Sequence, residues 1–300
     1  MIGLFYNLKL PESLDFAGVF QRVNELFDYC CSLRFASIDP RLEHYRKLPE
    51  KEPVPKPKEA EGQPLYFFLS PERGPLGIVT THIQVREHEP LMPGESRTYR
   101  DDDKISVRSL EAYYFSLLPG AGGIMGSSFG VAKWPEVLAY KHPDDPDGPT
   151  LTKELPDHLS GWSGGGAFIA ADCANPKHGG VANFLSAYLS MIAAFDAARE
   201  LGFEVSVSDT SGFWDERDVD ALLETLGTSL VEEAKAVGRL KDETGAIICN
   251  DIVTRPDFEH LESGRLPNLR EVWDEDLARL IELTTDRPNQ DWRSSAGGQA

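Results

Sequence analysis

Apolar residues open the chain as a tight group. IGLFYNLKL, residues 2–10, predicts a strand that Pro11 ends. Beyond it Phe16, Val19, Phe20, Val23, Leu26, Phe27 and Cys30 recur at helical spacing, with Ser13 as the expected N-cap. On that face Cys30 reads as a small core residue. From Leu65 to Trp134 the period shortens. LYFFLS, GIVTTHIQV and ISVRSLEAYYFSLL are strand-like, and PERGP, EPLMPGES and PGAGG separate them as turns. The last third alternates. Residues 166–171 predict a strand, and residues 181–201 a helix closed by Gly202. FEVSVSD predicts a strand. A helix is expected from about Glu216 to Leu240, capped by Asp215 and kinked or divided at Gly227. GAIICNDI predicts a further strand, and residues 272–283 a short helix.

Many strands followed by mixed strands and helices define an α+β chain: a largely antiparallel β-sheet with helices packed on it, and mixed strand–helix order in the C-terminal third. Residues 1–284 are expected to form one domain. Two α+β halves meeting in the acidic, proline-rich stretch at 141–150 are the alternative. PEKEPVPKPKEAEGQP, residues 49–64, is a solvated surface loop, and residues 285–300 a polar tail.

Composition changes this picture mainly through charge. The 300 residues carry 49 acidic and 30 basic side chains, a formal net charge of −19. Such a surface repels nucleic-acid phosphates and anionic membranes and attracts a basic protein partner. The four cysteines, Cys30, Cys31, Cys173 and Cys249, show neither a disulfide framework nor a zinc spacing. The first residues lack the basic-then-apolar order of a signal peptide, and the apolar 181–198 stretch carries Asn183 and Asp196. The expectation is a cytoplasmic, reduced protein in which that stretch is a core helix, with no cofactor or metal.

FIAADCANPKHGG, residues 168–180, places Asp172, Cys173 and His178 within seven positions. A thiol nucleophile needs a base to lower its pKa, and a carboxylate can orient that base. The same residues equally serve a strand that ends on a buried cysteine and a solvated turn. Asp209 follows a strand and is the other acid to weigh. SVSDTSGFWDERD combines Phe213 and Trp214 with Asp215 and Glu216, a composition that suits an interface tip or, alternatively, a helix cap with its tryptophan packed inward. It has no EF-hand spacing. PGAGGIMGSSFG lacks the Lys-Ser/Thr of a phosphate-cradling loop, and SGWSGGGAFIA fails the spacing of a nucleophile elbow.

NPKHGGVANFL, SDTSGFWDERD, GRLKD and RPDFEHLE, with a weaker echo at FGVAKWP, resemble a group of uncharacterised bacterial proteins over residues 162–262. That pattern has a polar strand of Cys-Lys-Thr-Gln type where this chain has FIAADCA. The resemblance implies no catalytic residue. It is loosely similar to acidic toxin-neutralising immunity proteins, which implies a non-enzymatic, protein-binding role. A hydrolase or transferase centred on Asp172, Cys173, His178 and Asp209 is the competing expectation.

Overall fold

The computed structural model describes residues 2–46, 78–84, 104–122, 127–141, 147–245, 248, 250–267, 269 and 274–285. LYFFLS, the 49–64 loop and residues 286–300 lie outside them. In chain order the elements are β1 (Gly3–Leu10), α1 (Phe16–Cys31), β2 (Ser37–Ile38), β3 (Glu43–Arg46), β4 (Thr80–Gln84), β5 (Lys104–Arg108), β6 (Glu111–Leu118), β7 (Ser127–Lys133), β8 (Val137–Tyr140), β9 (Leu151–Glu154), β10 (Trp162–Ile169), α2 (Gly180–Glu200), β11 (Glu204–Asp209), α3 (Phe213–Glu216), α4 (Val219–Thr244), α5 (Phe258–Glu262) and α6 (Glu275–Thr285).

The chain is α+β. Its main sheet runs β11-β1-β10-β7-β6-β2, with β3 also paired to β6, and every pairing is antiparallel. Strands from both sides of residues 141–150 share this sheet, since β7 pairs β10. Side chains alternate in β1: Leu4, Tyr6, Leu8 and Leu10 are buried, whereas Phe5 and Asn7 are exposed. The buried row joins one core with α1, α2 and α4. On the opposite sheet face Ala112 and Ala132, cross-strand partners in β6 and β7, join Val79, Val107 and Trp134 in a second, smaller core. That core lies beneath the β4–β5 and β8–β9 hairpins.

Helix α2 is the centre of the larger core. From Phe184 to Ala198 every residue except Ser186 is buried. It is the described helix long and apolar enough to cross a membrane, and 83% of its most apolar stretch is buried inside the protein. Phe195 stands at the hub of an aromatic cluster, its ring centroid 4.9 Å from Tyr6, 5.8 Å from Phe129 and 5.9 Å from Trp214. The ring of Tyr6 lies over its β10 partner Gly166, where a side chain would stand 2.7 Å from the Tyr6 hydroxyl.

Several boundaries differ from the sequence expectation. Asp15, not Ser13, caps α1, its carboxylate accepting from the Gly18 N–H at 2.8 Å. ISVRSLEAYYFSLL forms two strands in different sheets, divided at Ser109–Leu110, because β5 turns away to pair β4. The strand expected at 166–171 begins at Trp162. The helix expected from Glu216 breaks at Arg217, whose φ of 56° is left-handed, and restarts with Asp218 as N-cap; it then runs unbroken through Gly227. GAIICNDI is not a strand where it is described: α4 extends to Thr244, and Asn250 caps a 3₁₀ turn over Asp251–Thr254.

Phe195→Ala is expected to lower unfolding stability by roughly 3–5 kcal/mol, the range for a buried aromatic. Chemical denaturation measures this, and a loss below about 1 kcal/mol would show that the hub does not carry the core.

Candidate functional site

The ends of β10 and β11 flank the start of β1, with Gly3 opposite Ile169 and Leu4 opposite Asp209. The topology therefore brings the two sequence candidates, the Asp172–His178 turn and Asp209, to one end of the sheet. It does not join them.

Chain reversal after β10 is made by two 3₁₀ turns, Ala171–Ala174 and Pro176–His178, which lead into α2. Asn175 caps the second turn through a 3.0 Å bond from the Lys177 N–H, and its side-chain amide donates to the Asp251 carbonyl at 3.2 Å. Cys173 is fully buried. Asn183 on α2 donates to its carbonyl at 2.8 Å and also to that of Ala121, clamping the turn to the loop after β6. Burial, with the Asp172 charge beside it, pushes the Cys173 thiol up to about 12. No hydrogen bond joins Cys173 to His178 among the described residues. The His178 ring instead lies against Gly122, where any side chain would collide with it. The carboxyl of Asp172 is pushed up by its own burial and then by Glu233 and Asp251, and Lys177 and His178 only partly oppose this. Lys177 is drawn to Asp251, 3.0 Å away.

Asp209 has a different task. Its carboxylate accepts from the Ser211 N–H and hydroxyl at 2.8 Å each and from the Trp214 N–H at 2.7 Å. It thereby braces the start of α3, whose N-cap residue is Gly212, by satisfying the first-turn N–H of Trp214. Tyr188 shares a 2.8 Å bond with the Ser211 hydroxyl. The two aromatics of this loop turn inward. Phe213 is 1% exposed and Trp214 3% exposed, so the surface of the tip consists of Asp215 and Glu216, both exposed. Trp214 is held between two guanidinium groups, Arg199 at 4.4 Å and Arg217 at 4.6 Å from its ring centroid.

The residue that organises this loop is Arg217, which the sequence did not single out. It is 6% exposed and forms a bidentate pair with Asp196 of α2, both bonds 2.9 Å. It also donates to the carbonyls of Trp214 at 3.0 Å and Thr284 at 3.2 Å, so one side chain ties together α2, α3 and α6. A second unanticipated group is Glu111, buried at the start of β6, which takes bonds from His44 at 2.7 Å and Tyr113 at 3.1 Å. Spacing revealed neither, because Asp196 and Thr284 for Arg217 and His44 for Glu111 lie 21 to 67 positions away.

A cleft of about 590 Å³ lies beside the turn, lined among others by Ala174, Pro176, Val181, Arg255 and His260. Cys173, His178 and Asp209 do not line it. Arg255 is held by Asp257 and by the Ala174 carbonyl, 2.8 Å away. The arrangement is that of a packed, capped junction, with acids on its outer surface. No family model, curated protein or solved structure matches the chain.

Two expectations follow for this junction. Cys173 will label slowly with a thiol reagent at neutral pH, while exposed Cys31 labels first. Peptide mapping of the labelled protein separates the two, and rapid stoichiometric labelling of Cys173 contradicts its burial. Because the folded state raises the Asp172 pKa, the protonated form folds better. Its ionisation therefore opposes folding once the pH exceeds the unfolded value of about 3.9. Asp172→Asn should melt at or above the parent at pH 7, with the difference vanishing as the pH falls below about 4. Melting curves across that range test the sign.

Proposed function

We propose that this chain is a cytoplasmic, non-catalytic binding protein of the immunity or antitoxin kind, and that it takes a basic protein partner on an acidic face. The observation that carries the reading is the outer ridge of α4. Asp220, Glu224, Thr228 and Glu232 recur every four residues, all exposed, and Asp215, Glu216 and Asp218 continue the acid surface before the helix. Residues spaced by four share a helix face, and the like-charge pair at that spacing on this ridge, Asp220 and Glu224, destabilises the helix by about 0.2–0.5 kcal/mol. A cationic partner relieves that repulsion. A shallow groove of about 650 Å³ beside the ridge is lined by Glu224, Glu232 and Glu233 together with Thr210 and Ser229.

The net charge of −19 supports the same reading, because it steers a basic partner from a distance. So does the resemblance of residues 162–262 to uncharacterised bacterial proteins and, loosely, to immunity proteins. The competing hydrolase or transferase reading has less support: the Cys173 thiol is buried and held neutral, and Asp209 is engaged by backbone and hydroxyl donors.

The test is paired affinity capture from the source cell, with the parent and a Glu224→Lys/Glu232→Lys variant as baits. The expected outcome is a basic protein retained by the parent, released as salt rises, and lost with the variant, whose melting temperature stays within a degree or two. Identical retention by both baits, with the same salt dependence, removes the ridge from the site. Asp215→Lys/Glu216→Lys serves as a second bait for the loop tip.

A further inference from the structure

The cleft of about 590 Å³ beside the Pro176–His178 turn has the size of a small-ligand site. Two stretches that stand out in the sequence form its walls. Pro176, Gly179 and Val181 belong to NPKHGGVANFL, and Arg255 and His260 to RPDFEHLE. A third wall is Leu266, Pro267 and Leu269, which rest on α4 at Gly227, where a side chain would meet all three at 3.5 to 3.7 Å. Walls seated in this way on α2 and α4 are ordered by folding, so a ligand does not have to order them.

The charge of this cleft opposes that of the whole chain. Arg255, His260 and Arg265 line it, with Asp257 as the acid among the described lining residues, in a protein of net charge −19. Asp257 is committed to Arg255, whose guanidinium donates to both carboxylate oxygens, at 3.0 and 3.1 Å. Arg265 and His260 are exposed and form no ion pair with a described residue. Arg265 is thus a cation that no described acid answers. The start of α2 adds to the field, because Gly179 gives the helix no side-chain cap and its first turn holds no acid. The remaining surface is apolar. Val181 and Leu261 are buried in the floor, and Leu266 is 63% exposed at the lip. Covering an exposed leucine is favourable in proportion to the apolar area removed from water.

We infer that this cleft binds a carboxylate carried on a compact apolar body, with the charge at Arg265 and the apolar body on Val181, Leu261 and Leu266. A cation would meet Arg265 and Arg255. A neutral apolar group would cover the leucines but leave the guanidinium without a partner. A carboxylate matches the planar fork of arginine with two parallel hydrogen bonds. A dianion such as phosphate is disfavoured, because Asp257 already answers Arg255 and because Asp218, Asp220 and Glu224 border the neighbouring groove that shares Leu266, Pro267 and Leu269. The same chemistry is presented by a free apolar acid and by the C-terminal residue of a peptide. The inference is independent of the α4 reading, since the cleft shares no lining residue with the groove beside the α4 ridge.

The experiment is calorimetric titration of the full chain with N-acetyl-leucine, its uncharged amide N-acetyl-leucinamide, isocaproate and inorganic phosphate. Saturable binding is expected for N-acetyl-leucine. The amide should bind at least about tenfold more weakly, as loss of a hydrogen bond to a charged group implies. Isocaproate binding as well as N-acetyl-leucine assigns the site to a free acid; weaker isocaproate binding assigns it to a peptide C-terminus. Arg265→Gln, at an exposed position, should weaken N-acetyl-leucine by a similar factor and bring it level with the amide. Leu266→Asp, also exposed, should weaken N-acetyl-leucine more than the amide, because it sets a carboxylate against the ligand's own. Melting curves establish that both variants are folded. Equal affinity for the acid and the amide, no saturation by either carboxylate, tighter binding of phosphate than of N-acetyl-leucine, or no response to Arg265→Gln overturns the assignment. Failure here leaves capture by the α4 ridge untouched, and loss of that capture leaves these titrations untouched.

Discussion

The structure depends on burying α2 on every side. An ordinary surface helix hides one stripe and leaves the rest to water. Here nearly every position from Phe184 to Ala198 is enclosed, which obliges sheet, α1, α4 and α6 to close around one cylinder. Close approach then decides which residues are tolerated nearby. Gly166 makes room for the ring of Tyr6. Gly120 lies where a side chain would meet Ala187 and the Cys173 sulfur. The cysteine at the end of β10 is part of this packing, and its neutral thiol is a consequence of it.

A fully buried helix cannot carry a charge without a partner. Asp196 is 8% exposed, and leaving it unpaired would cost several kcal/mol. Arg217 supplies the partner, and the backbone bends to deliver it. Its φ of 56° lies where glycine is usually preferred, yet glycine has no guanidinium. The break between α3 and α4 follows from that requirement. So does the orientation of the loop: with Trp214 stacked between Arg199 and Arg217, both aromatics face the core and only the carboxylates of Asp215 and Glu216 face out. A packing demand inside α2 thus sets which chemistry the loop presents.

How much of this was legible depended on whether the signal was local. The alternation in IGLFYNLKL and FEVSVSD and the apolar density of residues 181–201 are local, and β1, β11 and α2 stand where they predict. The α+β class followed from their order. Boundaries set by remote partners were not legible. Nothing near Arg217 in sequence announces Asp196, so the helix was expected to start at Glu216. Ser109–Leu110 divides two strands only because β4 and β7 claim different halves of one alternating run. The same limit applied to the candidate site. Proximity in sequence suggested Asp172, Cys173 and His178 as a group, whereas Asn175, Asn183 and Arg255, which fix the turn, act across 10 to 81 positions.

Charge completes the argument. An excess of acids destabilises a compact chain through self-repulsion, and the effect is largest where carboxylates cannot spread apart. On α4 the helix fixes their spacing. At Asp209 the repulsion is answered within the protein by backbone and hydroxyl donors. Glu224 and Glu232, exposed on one face of α4, form no ion pair with a described residue. Rigid elements that hold like charges together without internal compensation are preorganised for an external cation, because the ordering cost of assembling the carboxylates has been met in folding. Under the proposed function, a basic partner seated on α4 would relieve this repulsion without any further ordering of the acids.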